Sequence, residues 1–245
     1  MRYITLLLSL LFSFATFAQV EKSQDITPKE YYLEGVRYYN EGNFENARKL
    51  LSQATMDDEG NDAAYYYLGL TYIQLQDAQA AEAYLSKALE MDPGNIWYKI
   101  KLAQFYSETN NLDKAIGIYE EIAKSNPHKH SIYYDVIDLY TASKQYDKAL
   151  ETLNRIETLK GENEVTGEVK YELLIRKGDY HGALAHLEDY YKKYPTPRVA
   201  LVLGDLSKSL HMDSLAINYY QEALALETGY APAYLGLAEV YRTNM

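Results

Sequence analysis

The 245-residue sequence contains no cysteine. That absence removes disulfides, thiolate metal sites and a cysteine nucleophile together, and it closes the route by which a bacterial lipoprotein is lipid-anchored. Basic side chains are scarce beside acidic ones, 24 against 35, for a formal net charge of −11. A chain with that balance repels a phosphate backbone, so no nucleic acid is expected as a partner. Past residue 18 no apolar run approaches the roughly 20 residues a membrane-spanning helix needs. A Gly-rich phosphate loop, a nucleophile motif and a His-Glu metal motif are all missing, so no cofactor, catalytic residue or small-molecule substrate is expected. Tryptophan and phenylalanine number only 1 and 5, whereas tyrosine reaches 27. Any account of the fold must place those tyrosines.

The first residues, MRYITLLLSLLFSFATFA, carry a basic residue at Arg2, an apolar run from Ile4 to Phe14 and small residues near Thr16 and Ala18. This is the layout of a secretory signal peptide over 1–18, with cleavage expected between Ala18 and Gln19. The apolar stretch is short for a retained anchor. The expected product is an exported protein of the periplasm or cell envelope, with a short linker over 19–27.

The rest of the chain repeats. YYLEGVRYYNEGNFENARKLLSQA from Tyr31 aligns without a gap on YYYLGLTYIQLQDAQAAEAYLSKA from Tyr65, matching Gly35 to Gly69, Tyr38 to Tyr72, Ala47 to Ala81, Leu51 to Leu85 and Ala54 to Ala88. The offset continues through Ala103, Tyr106, Ala115 and Pro127 and then Tyr133, Tyr140 and Ala149. Units fall at 28–61, 62–95, 96–129, 130–163, 164–196 and 197–230, with a terminal helix at 231–245.

This pattern resembles the tetratricopeptide repeat family: a large residue at position 4, Leu-Gly at 7 and 8, Tyr at 11, Ala at 20, a large residue at 24, Ala at 27 and Pro near 32. Tyr65, Leu68, Gly69, Tyr72, Ala81, Leu85, Ala88 and Pro93 fill it in the second unit. The resemblance covers 28–245 and implies an all-α fold, a right-handed α-solenoid of antiparallel helix pairs with about thirteen helices. Positions 4, 7, 8 and 11 make the inner stripe of each first helix. Small residues at 8 and 20 allow close helix approach. Pro93, Pro127 and Pro195 end second helices. EGNF, TNNL, SKQY and KGDY read as the turns within units. The fit is poorest in the fifth unit, where Gly167, Lys170 and Tyr171 take positions 4, 7 and 8. A frayed or rotated helix near 164–176 is expected there, after a long mobile connection.

Tyrosines at positions 4 and 11 (Tyr31, Tyr38, Tyr65, Tyr72, Tyr106, Tyr133, Tyr140, Tyr234 and Tyr241) are read as packing. Positions 2, 5, 9, 12 and 13 lie on another arc of the first helix, which the resemblance places in a concave groove. Tyr32, Tyr39, Tyr66, Ile73, Trp97, Ile100 and Tyr134 are therefore the candidate partner-binding residues, suited to a peptide or protein with aromatic contacts at its centre. The competing expectation is that these rings pack on neighbouring helices and show only their edges. The Lys and Asn residues with which chaperone-binding relatives hold a C-terminal carboxylate are not matched, since Tyr32 and Val36 stand there.

His128 and His130 lack nearby further ligands, so no metal is expected. The terminal helix keeps the inner-stripe pattern, and two expectations stand equally: an apolar strip on Leu237 and Tyr241 is covered by another protein or by a second copy in a homodimer, or the lone helix is itself the cap, with Glu239 and Arg242 supplying its polarity. The functional expectation is a non-enzymatic protein-binding scaffold of the cell envelope. One alternative is a sensory or assembly-guiding part of a larger envelope complex that binds through its C-terminal end. A distant one is an enzyme without a recognisable motif.

Overall fold

The computed structural model describes residues 27–243; the expected signal peptide at 1–18, the linker residues 19–26 and the last two residues lie outside it. Among the described residues the chain is an all-α solenoid of repeated helix pairs, with 13 helices and no strand. The pairs are α1 (Pro28–Asn40) with α2 (Phe44–Asp57), α3 (Asp62–Gln74) with α4 (Ala78–Met91), and α5 (Ile96–Glu108) with α6 (Leu112–Ser125). They continue as α7 (His130–Ala142) with α8 (Tyr146–Lys160), α9 (Glu164–Lys177) with α10 (Tyr180–Lys193), and α11 (Pro197–Ser209) with α12 (Asp213–Leu226). α13 (Ala231–Thr243) follows. Two compact units divide within α5, between Leu102 and Ala103.

Local chemistry sets the helix limits. Thr27 caps α1 in a reciprocal box with Glu30, and the side chains of Asn43, Asn61 and Asp77 cap α2, α3 and α4 by accepting a backbone N–H. Each such cap satisfies a donor that the first turn leaves without a helical partner. Pro93, Pro127 and Pro195 each follow a second helix, after its last residue at Met91, Ser125 or Lys193.

The turns inside the pairs share one backbone device. Gly42, Gln76, Asn110, Lys144, Gly178 and His211 occupy the same turn site in successive repeats, and all six have φ between 58° and 82°. That left-handed conformation costs an L residue about 1–2 kcal/mol, and Asn tolerates it best. Lys144→Gly is therefore expected to raise stability by about 0.5–1 kcal/mol after glycine's larger entropy loss is subtracted. Denaturant titration checks this, and a lowered midpoint would show that the lysine side chain contributes more than its backbone strain costs.

Inside each pair the closest approach differs in detail from the expected pairing of positions 8 and 20. A Cβ at Gly69 would lie 2.7 Å from Leu85 Cγ and 3.0 Å from the Leu85 backbone N, and one at Gly35 would lie 2.7 Å from Leu51 Cγ. The small residue at position 8 thus abuts position 24. Ala47, Ala81, Ala115, Ala149, Ala183 and Ala216 are fully buried. In the second compact unit the ring of Tyr220, also fully buried, is clamped between Gly204 and Gly236, and its hydroxyl donates to Asp205 Oδ1 at 2.7 Å.

Two expectations are corrected. The first helix of the fifth repeat is not frayed: α9 runs unbroken for 14 residues, with Asn163 accepting from Val165 and Thr166 at its start and Gly178 in the left-handed conformation at its end. Its connection to α8 is only residues 161–163. Gly167 is buried, and a Cβ there would meet the Tyr190 ring at 2.9 Å. In the first two repeats the same register holds Tyr31 with Ala54 and Tyr65 with Ala88, so the fifth exchanges large for small across the pair and keeps the register. The second correction concerns α13, where Tyr234 and Tyr241 are 54% and 50% exposed instead of packed. Ala233, Gly236 and Val240 carry the buried side of that helix.

Candidate functional site

In the first compact unit, α1 carries Tyr32 and Tyr39, α3 carries Tyr66 and Ile73, and α5 carries Trp97 and Ile100. The tyrosines form one connected cluster. Its hub is Tyr67, which meets Tyr32, Tyr39 and Tyr66 edge to face with ring centroids 6.1, 5.8 and 5.7 Å apart. Phe44 lies against Tyr39 at 5.7 Å, and Tyr66 stacks on Tyr98 at 4.6 Å. Such contacts contribute about 0.5–1.5 kcal/mol each beyond the area they bury. The buried Tyr98 is tied at its far end, its hydroxyl donating to Asp62 Oδ2 at 2.9 Å.

The helical framework explains why these rings are held. Tyr32, Val36, Tyr39 and Tyr67 pack on the core formed by Ala47, Leu51 and Leu68. They remain partly exposed, so each is anchored on the core and keeps part of its surface in solvent. Burial raises the hydroxyl pKa of Tyr32, Tyr39 and Tyr66, with neighbouring Tyr67 the next cause. Burial, followed by the bond to Asp62, raises that of Tyr98. The face therefore presents neutral hydroxyls and aromatic edges.

Trp97 is the exception, with 70% of its surface exposed, while Ile73 and Ile100 are half-buried. Tyr134, half-buried, lies on α7 in the second unit. The sequence reading overlooked Tyr67 and Tyr98, which stand at positions it assigned to neither core nor groove. The run of three tyrosines at 65–67 was the available signal for the first.

In the second unit the first helices carry acidic groups. Asp138 on α7 has its carboxyl pKa raised by burial and next by Glu172 on α9, and Asp135 by burial and next by Asp138. On α13, Leu237 is half-buried against the cluster of Ala200, Ala216 and Tyr220, so the exposed apolar strip consists of Tyr234, Leu235 and Tyr241 instead of Leu237 with Tyr241. No group of three or more metal-ligating side chains occurs among the described residues. Nor is any helix among them long and apolar enough to cross a membrane. His186 has a structural partner, its Nε2 lying 3.0 Å from the Gly167 carbonyl and so donating to it.

Two tetratricopeptide repeat profiles match the chain, over residues 32–96 and 72–133. The PEX5-related protein of Mus musculus is 29% identical over 94 residues, which are 38% of this chain and 17% of that protein. Anaphase-promoting complex subunit 3 of Schizosaccharomyces pombe is 24% identical over 184 residues, 74% of this chain and 27% of that protein. The chain thus spans well under two thirds of either relative. Among solved structures, that of Naa15/Naa10 bound to HypK-THB superposes with a TM-score of 0.72 at 17% identity, covering 92% of this chain and 35% of that one. This last likeness is one of fold.

Proposed function

Because the chain is a tetratricopeptide repeat protein, we propose that it is a non-enzymatic scaffold for protein–protein interaction that holds a peptide or protein partner on the tyrosine face of α1, α3 and α5. The observation that carries this reading is the pinned cluster of Tyr32, Tyr39, Tyr66 and Tyr67, accompanied on α5 by a largely exposed tryptophan. Aromatic side chains dominate binding energy at interfaces. Rings already fixed by one another lose little freedom when a partner docks. Export to the cell envelope belongs to the same proposal and rests on the leader-like residues before Gln19.

The exposed strip of Tyr234, Leu235 and Tyr241 supports a second reading, in which α13 makes the contact, with another protein or a second copy. One experiment separates them. A photoreactive residue at Tyr32 is crosslinked in envelope extract, and capture is compared in chains that also carry Trp97→Ala, Tyr66→Ala or Tyr241→Lys. Trp97→Ala is expected to abolish capture with unchanged melting, because the indole makes few contacts in the fold. Tyr66→Ala is expected to lower stability by about 1–3 kcal/mol through its lost ring contacts as well. Capture that survives Trp97→Ala and is lost in Tyr241→Lys would move the contact to α13.

A further inference from the structure

The second compact unit holds a cavity of about 370 Å³ between α9, α10 and α11, within the range of about 300–1,000 Å³ usual for ligand pockets. It lies beside the large-for-small exchange in the fifth repeat. Gly167 has no side chain to project into this space, and Tyr190, brought from α10, forms part of the wall with Tyr171, Leu187, Val199 and Val202. The floor is therefore apolar and aromatic. One edge is acidic, since Glu164, Glu168 and Glu172 recur every four residues along α9 and all three line the cavity.

Like charges at that spacing repel along a helix. Only part of the repulsion is relieved: Glu172 pairs with Arg176 at 2.7 Å and Glu168 with Arg198 at 3.2 Å, both pairs exposed. Glu164 has no ion pair among the described residues. The neighbourhood adds negative charge, because Glu172 also acts on Asp138 of α7. Burial and next Glu164 raise the hydroxyl pKa of Tyr190. An anion would find one cation in this lining, Arg198, and that guanidinium is already engaged by Glu168. The start of α11 offers no amide at Pro197, and Thr196 already accepts the Val199 N–H.

We propose that this pocket receives the side chain of an arginine or lysine of a partner peptide, its aliphatic stem on Tyr171, Tyr190 and Val199 and its charged head on the Glu164–Glu168–Glu172 edge. An apolar stem beneath a cationic head matches an apolar floor beneath an anionic rim. The site stands on residues of α9 to α11 and is independent of the tyrosine face.

The test is methyl NMR of the full chain titrated with three short acetylated, amidated peptides of sequence Gly-Leu-Xaa-Leu-Gly, in which Xaa is arginine, its neutral isostere citrulline, or glutamate. Saturable shifts at the Leu187, Val199 and Val202 methyls are expected with the arginine peptide, at lower concentration than with the other two. A Glu168→Gln, Glu172→Gln chain should weaken that binding about tenfold, and Arg198→Ala should tighten it. These rim residues are exposed, so the variants are expected to fold as the parent does, and circular dichroism checks that. A Tyr66→Ala, Trp97→Ala chain should bind the arginine peptide unchanged, which separates this site from the tyrosine face. Absence of saturable shifts at those methyls, equal or tighter binding of the citrulline or glutamate peptide, or insensitivity to the glutamine pair would overturn the proposal.

Discussion

Replacing Gly69 with leucine is expected to abolish cooperative folding of the repeat it belongs to, read as lost helicity and a lost thermal transition. Even a lone Cβ there would lie 2.7 Å from Leu85 Cγ and 3.0 Å from the Leu85 backbone N. The leucine side chain could turn away from a small intruder, but the backbone atom belongs to α4 and moves only with the helix. Gly69→Ala sharpens the argument because two effects oppose. Glycine in a helix interior is about 1 kcal/mol worse than alanine, so relief of that cost alone would stabilise. Overpacking a tight contact costs about 1–3 kcal/mol, and should win. Gly117 in α6 is the control, with nothing within 4 Å of its ideal Cβ. Gly117→Ala should therefore stabilise by about 1 kcal/mol. Opposite signs for the same chemical change would establish close packing at Gly69; the same sign at both sites would refute it.

The exchange in the fifth repeat predicts a strong non-additivity. Tyr190→Ala removes a ring with only 8% of its residue surface exposed and is expected to cost about 3–5 kcal/mol. Gly167→Tyr drives a second ring into the first, since even its Cβ would sit 2.9 Å from Tyr190 Cε2. Each single change should destabilise α9 against α10. The double variant restores the arrangement of the first two repeats, tyrosine opposite alanine, and should recover much of the loss. A coupling of about 2–3 kcal/mol is expected from the cycle, measured by denaturant titration. Additive losses would mean that the two positions do not share one volume.

These two sites also show what could be read from the residues alone. The need for a small residue at Gly69 was legible because Gly35 recurs at the same offset, but its partner was not: the motif pairs it with Ala81, whereas the packed helices set it against Leu85. Gly167 was misread because a motif assigns sizes to positions one at a time, whereas packing constrains the sum across two helices. Tyr190 supplies the volume that Gly167 lacks, and nothing in the local sequence of α9 states that. Tyr67 and Tyr98 escaped for a related reason. Their neighbours belong to different helices, so the contacts follow from how first helices lie side by side and not from the periodicity of either one. Tyr234 and Tyr241 repeat the pattern of buried tyrosines faithfully, but burial is conferred by a neighbouring helix, and the described residues leave about half of each exposed.

Trp97 has a consequence of an optical kind. It is the only tryptophan in the chain, and it stands largely in solvent beside Tyr98 in sequence, which is itself stacked on Tyr66. Indole emission from this protein therefore reports one residue on one face, with no second indole to dilute the signal. In water that emission lies toward long wavelength and is open to collisional quenchers such as iodide. Anything that covers the indole shifts its light toward the blue and shields it from quenching, whereas occupation of a site elsewhere in the chain leaves both unchanged. The scarcity of tryptophan thus gives the start of α5, next in sequence to the stacked Tyr98, a built-in fluorophore.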